Sequence, residues 1–238
     1  MLKPTSPAFV ALRRMLRATG LAGPIAAMLG RGGYEQRFNA SLEASVRSGD
    51  CVWDVGANVG YYTTRFAAAC GAAGHVFAFE PSPANVARLR EATAGLGNVT
   101  TLELGLSDHD GSAAFKQGED DLGATSHVVA GAANADAGAS SVRLATGAGL
   151  LAQVEARAPN VLKIDVEGHE LEVLRGLVDE LTRPGLRDVF IEVHFGILDE
   201  AGRSDVPSTI VALLERSGFR VAWVDPSHLH AGRGETVG

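Results

Sequence analysis

From about residue 50 onward, short apolar runs alternate with longer stretches of helical character. Cys51–Val55, His75–Glu80, Val99–Leu104, Val161–Val166, Val189–Phe195 and Phe219–Val224 read as strands. Tyr61–Cys70, Pro83–Ala94, His169–Leu181 and Val206–Ser217 read as helices between them. Gly71 and Gly74 close the first helix, and Ser82 is placed to cap the second, ahead of a proline in its first turn. Strands apolar on both faces and separated by helices describe a mostly parallel sheet covered on both sides, an α/β Rossmann-like architecture.

Two regions break this rhythm. Residues 117–159 include the Ala/Gly-rich stretch Gly131–Gly138 and read as a variable insertion or loop region, with short strands at Ser112–Lys116 and Ser141–Ala145 around it. Residues 1–45 read as a helical extension packed on one domain of residues 46–238. The apolar stretch from Ala8 to Leu29 is interrupted by Arg13, Arg14 and Arg17 and by Gly20, Gly23 and Pro24. It falls short of the roughly 20 apolar residues that span a bilayer, so no transmembrane segment is expected.

Charge and cysteines narrow the function. A net charge of −7 without a dense basic run argues against nucleic acid as the partner, because such binding rests on phosphate neutralisation. Cys51 and Cys70 form no disulfide framework or metal motif, and as buried thiols they fit a reducing, cytoplasmic setting.

The most specific chemistry lies in Asp54-Val-Gly-Ala-Asn-Val-Gly60, a strand ending in a carboxylate, a tight glycine turn and a helix start. Glycine lets a ligand approach the backbone, and the helix N-terminus adds free N–H groups. A turn built for pyrophosphate does not favour a carboxylate at its mouth. One built for a cationic amino-acid ligand does, which points to S-adenosylmethionine (SAM).

In an open parallel sheet, ligands bind beyond the carboxyl ends of the strands. The polar residues expected there are Asp54, Glu80, Ser107 with Asp108, Asp165 with Glu167 and His169, and Glu192 with His194. Glu80 is placed to accept both ribose hydroxyls, or to cap the helix at Pro83. Asp108 is placed to meet the adenine amino group, or to form the turn before Gly111. Period-two alternation sets Lys163, Asp165 and Glu167 on one face, where Asp165 holds an ammonium or orients the substrate. A salt bridge from Lys163 to one of these carboxylates is the structural alternative. A histidine beside a carboxylate, as His194 beside Glu192, suits a general base. Asp165, Glu192 and His194 could also gather a hard divalent cation, but no metal is predicted.

These strings together resemble the FkbM family of SAM-dependent methyltransferases: VWDVGANVGYYT (52–63), VFAFEPSPAN (76–85), LGLSDHDG (104–111), VLKIDVEGHELEVLRG (161–176) and FIEVH (190–194). The resemblance implies a seven-stranded class I methyltransferase fold ending in an antiparallel hairpin, with Phe219–Val224 as one arm. It implies methyl transfer to a hydroxyl of a sugar, polyketide or other small secondary metabolite. Carried over residue by residue, it sets Asp54, Gly56, Ala57, Asn58 and Gly60 around the methionine moiety, Glu80 on the ribose, Asp108 near adenine and Asp165 beside the reacting methyl.

The expected reaction is attack of a substrate hydroxyl on the sulfonium methyl. His194 is the first candidate base and His169 the second, with Glu167 or Glu192 orienting. An NAD-dependent oxidoreductase is a weaker alternative, since the turn has G-x-x-x-G spacing where G-x-G-x-x-G is usual. A non-catalytic SAM-binding module is another.

Overall fold

The computed structural model describes residues 31–116, 127–129, 140–153 and 157–234. Helix α1 (Arg31–Ser45) leads into β1 (Cys51–Val55), α2 (Tyr61–Cys70), β2 (His75–Phe79), α3 (Pro83–Ala92) and β3 (Val99–Leu102). Four short strands come next, β4 (Gly105–Leu106), β5 (Gly111–Lys116), β6 (His127–Val129) and β7 (Ser140–Ala145), and then α4 (Gly147–Gln153). The chain continues through β8 (Val161–Ile164), α5 (Glu170–Arg175), a 3-10 turn at Glu180–Thr182, β9 (Asp188–Glu192), α6 (Phe195–Glu200) and α7 (Val206–Arg216). It closes with β10 (Arg220–Trp223) and β11 (His228–Gly232).

The main sheet has seven strands in the order β10-β11-β9-β8-β1-β2-β3, and only β11 runs against its neighbours. The chain builds outward from β1 to β3, then returns to lay β8 on the other side of β1. The strand order therefore reverses between β1 and β8, the switch point at whose carboxyl ends open α/β sheets bind their ligands.

Alternation along the strands divides the core. Val52, Val76, Val161 and Phe190 pack with Phe38 and Leu42 of α1 and Phe66 of α2. Trp53, Val55, Leu162, Ile164 and Ile191 pack on the opposite face with Leu171 and Leu174 of α5 and Ile210 and Leu214 of α7. The N-terminal helix is thus a covering layer of the sheet, and the bidentate pair between Arg187 and Asp50, at 3.0 and 2.7 Å, ties its exit to the sheet edge.

Several expected boundaries move, each for a local reason. The run Val99–Leu104 divides because Gly105 and Leu106 pair with Leu144 and Ala145 in a second sheet, of order β4-β7-β5-β6. The expected helix His169–Leu181 stops at Gly176, where any Cβ would lie 1.9 Å from the Ser107 carbonyl oxygen. β9 ends at Glu192, and the chain turns into α6 with His194 just before it. The expected strands at 112–116 and 141–145 lie in β5 and β7. The Gly131–Gly138 stretch and residues 1–30 lie outside the described residues. Among the described residues, no helix is long and apolar enough to cross a membrane.

Candidate active site

The crevice between β1 and β8 is shaped by backbone approach. Gly56 has φ 78°, and a Cβ there would lie 1.8 Å from the Asp165 carbonyl oxygen. Only glycine lets the first turn touch the end of β8. Gly56 and Ala57 donate their N–H groups to the Phe79 carbonyl at 3.0 Å. Asn58, at φ 50°, donates its N–H to Glu80 Oε2 at 2.9 Å. Glu80 Oε1 accepts the Ser82 N–H at 2.9 Å. Glu80 is thus a brace between the turn and α3 as well as a strand-end carboxylate, and burial raises its pKa. Gly60 opens α2.

Asp54 sits deeper than its place in the sequence suggests. Its side chain is fully buried, with Oδ1 3.1 Å from Lys163 Nζ and Oδ2 accepting from Thr63 Oγ1 at 2.7 Å. Asp54 and Lys163 are partner positions in the β1–β8 register, so the strand pairing itself brings this ion pair together. Lys163 Nζ also donates to the Gly56 carbonyl at 2.8 Å and lies 3.6 Å from Asp165 Oδ2. The charged partner that Asp54 meets in the sheet is Lys163. Asp165, a third exposed, is the carboxylate that reaches the crevice.

His194 is the centre of the mouth. Its Nδ1 donates to Glu170 Oε1 at 2.8 Å, which leaves Nε2 facing outward. Around Nε2 stand Asp165 Oδ1 at 3.6 Å, Glu167 Oε1 at 3.7 Å and Glu192 Oε1 at 4.0 Å. Glu167 does not continue the strand alternation expected of it. It adopts φ 49°, Gly168 comes next at φ 89°, and this left-handed pair swings Glu167 over His194. Burial disfavours the imidazolium, but the Glu170 hydrogen bond and the carboxylates of Asp165 and Glu167 outweigh it and push His194 up to about 9. Burial, with Asp165 and Glu192 adding to it, pushes Glu167 up to about 7. Glu192 is held below the usual carboxylate range, because a hydrogen bond from His228 and the charge of His194 overcome its burial.

His169, the second candidate base, belongs to another network. Its Nε2 is 3.0 Å from Ser107 Oγ, and its Nδ1 is 3.7 Å from Glu172. Glu172 is itself paired with Arg203. Ser107 is fully buried, and burial lowers the His169 pKa. This pair fastens the loop after β4 to the start of α5. Asp108 lies beside it, partly exposed, and accepts from His109 Nδ1 at 2.7 Å.

Sequence reasoning missed Glu170, which is wholly buried and sets the tautomer of His194. One signal was available: positions 170, 173 and 174 share a helical face, and Val173 and Leu174 are apolar. His228 and Asp225 were missed because their partner lies on a distant strand.

The donor set suits a cationic ligand. Among the described residues Asn58 Oδ1 is a buried acceptor without a hydrogen-bond partner, and the Asp165 carboxylate is a third exposed. Both call for N–H donors. The carboxylate and imidazole atoms of Asp165, Glu192 and His194 lie within 4.8 Å of one another, a span that one divalent cation could bridge. Lys163 and the two imidazoles of His194 and His228 already supply positive charge there, so none of the three is assigned to a metal.

The methyltransferase FkbM domain matches residues 54–221, which hold the glycine turn, the β8 end and the His194 cluster. The chain belongs to the FkbM methyltransferase family. The hexuronic acid methyltransferase AglP of Haloferax volcanii is 36% identical over 164 residues, which are 68% of this chain and 64% of that protein. The match therefore spans less than two thirds of that relative. Among solved structures, the FkbM methyltransferase of Methylobacillus flagellatus superposes with a TM-score of 0.50 at 14% identity, over 77% of this chain and 43% of that one. A Streptococcus mutans protein in complex with SAH superposes with a TM-score of 0.50 at 12% identity, over 80% and 92%. The fold is the class I methyltransferase fold.

Proposed function

We propose that this chain is a SAM-dependent O-methyltransferase acting on a hydroxyl of a sugar or similar polyhydroxylated small molecule. The observation that carries the reading is the His194 imidazole, oriented by buried Glu170 and ringed by Asp165, Glu167 and Glu192 beside the glycine turn. Family membership supports the methyl-transfer chemistry. The Haloferax relative, a hexuronic acid methyltransferase, puts uronic acids first among acceptors to try.

When bound, SAM supplies an electrophilic methyl group on a sulfonium. Asn58 and Asp165 would hold its ammonium end, Glu80 would meet the ribose, and Asp108 would meet the adenine amino group. Asp54 acts from beneath, by fixing Lys163 and through it the Gly56 carbonyl and Asp165. The acceptor hydroxyl gives its proton to His194 Nε2, and Glu170 stabilises the resulting imidazolium from Nδ1. The ligand-free site holds His194 protonated at neutral pH. SAM, once bound, would add positive charge to the site and so lower the imidazole pKa toward working pH. A cytoplasmic setting accords with Cys51 and Cys70, both buried free thiols, with burial pushing Cys51 up to about 12.

The deciding experiment is calorimetry with SAM and NADH, then methyl transfer from labelled SAM to uronic acids and neutral sugars. SAM binding with a methylated sugar bears out the reading. SAM binding with no product from any acceptor class turns it toward a non-catalytic SAM-binding module, and NADH binding without SAM binding removes it.

A further inference from the structure

His228 and Asp225 lie beyond the segment that matches the family domain. The antiparallel register sets His228 of β11 directly opposite Glu192 of β9. Its ring is buried, and Nδ1 donates to Asp225 Oδ2 at 2.7 Å and lies 2.9 Å from Oδ1. Asp225 Oδ1 also accepts the backbone N–H groups of Ser227 and His228, each at 2.9 Å, so the clamp is itself fixed. Nε2 lies 3.5 Å from Glu192 Oε2. From α1, the uncharged Phe38 ring covers the imidazole at a centroid distance of 4.2 Å. The charged groups facing His228 are therefore Asp225 from the turn before its own strand and Glu192 from the neighbouring strand.

Packing β11 between β10 and β9 does not require an imidazole between two carboxylates. Glu192 is the informative partner. It is 36% exposed, one oxygen faces His228 and the other faces His194 Nε2. Without the imidazole, Glu192 would turn toward solvent, and His194 Nε2 would lose one of its carboxylate neighbours.

We propose that His228, clamped by Asp225 and covered by Phe38, is a positioning residue for methyl transfer that fixes the Glu192 carboxylate against His194. The proposal rests on the reading of His194 as the base. It gives α1 and β11, the two elements flanking the family segment, a part in the chemistry.

The test tracks the His194 ring signal by NMR through a pH titration of the ligand-free protein. The wild type is compared with His228→Gln and His228→Ala, and His194→Ala supplies the assignment. Release of the Glu192 carboxylate, 4.0 Å from His194 Nε2, should move the His194 midpoint downward by roughly half to one pH unit. Turnover with SAM should fall roughly tenfold in kcat with KM for SAM changed less than about twofold. Imidazole added to the Ala variant should restore part of kcat. A merely structural His228 would lower stability but leave the His194 midpoint in place. An unmoved midpoint with wild-type kcat in a folded variant overturns the proposal. His228→Gln serves if the Ala variant does not fold. If the wild type methylates no acceptor, the methyl-transfer reading fails, while the NMR titration still decides whether His228 acts on His194.

Discussion

His169 and His194 lie just past adjacent strands of one sheet, and the sequence offers His194 as first and His169 as second candidate base. Their surroundings set them apart. His169 meets a buried hydroxyl, and burial depresses its pKa; His194 meets four carboxylates, and its pKa rises to about 9. The residue type at a strand end is less informative than the side chain packed behind it. Buried Glu170 converts one histidine into an oriented, charge-holding group, while Ser107 makes the other a fastener.

The largest expected separation is in turnover. His194→Ala should lower kcat by roughly a hundred- to ten-thousand-fold while SAM affinity stays within about fivefold. His169→Ala should cost less than about tenfold. Equal losses in a methyl-transfer assay would erase the distinction.

Next comes the cation behind the His194 carboxylates. Burial pushes the Lys163 pKa down, but Asp54 and Asp165 hold it above the ordinary lysine value. Lys163→Met leaves Asp54 buried and unpaired, so urea unfolding should show a loss of about 3–5 kcal/mol. A loss below about 1 kcal/mol would mean that Asp54 finds another partner or takes up a proton cheaply.

The two histidines should also give opposite pH dependences of stability. His194 is raised from 6.5 to about 9, so its contribution is complete below pH 6.5 and is lost as pH rises through about 9. The amount is about 3 kcal/mol at most, shared with the coupled carboxylates and with His228, which is raised over the same range. His169 is lowered from 6.5, so its contribution is present above pH 6.5 and is lost on acidification. Thermal melts of His194→Ala should flatten on the alkaline side and those of His169→Ala on the acid side. The reverse pattern would mean that the two environments are misassigned.

The smallest effect expected is the static cost of His169→Ala, about 1 kcal/mol for a hydrogen bond lost at Ser107. Denaturant midpoints measure it. A cost above about 3 kcal/mol would make the fastener a structural keystone and sharpen its contrast with His194 further.

Much of this was legible in the chain. The run Val189–Ile191, apolar at successive positions, and Val161–Ile164, interrupted only by Lys163, read as strands buried on both faces, and the glycines at 56 and 60 mark the tight turn after β1. Asp165, Glu167, Glu192 and His194 were picked from strand-end positions and do converge. The depth of Asp54 was not legible, because it depends on Lys163 arriving as its partner across the β1–β8 register. Nor was β11, whose run His228–Gly232 contains two histidines and a glycine and carries no apolar signature.

The order of apolar and polar residues by itself determined the parallel sheet, the ligand turn and which acidic side chains end each strand, since these arise from local periodicity and backbone freedom. Only the tertiary structure decided which carboxylates stay open, which histidine holds charge and which side chain orients it. Those properties come from desolvation and from partners far away in the chain, and the strand registers that bring Lys163 to Asp54 and His228 to Glu192 exist only once the sheet has assembled.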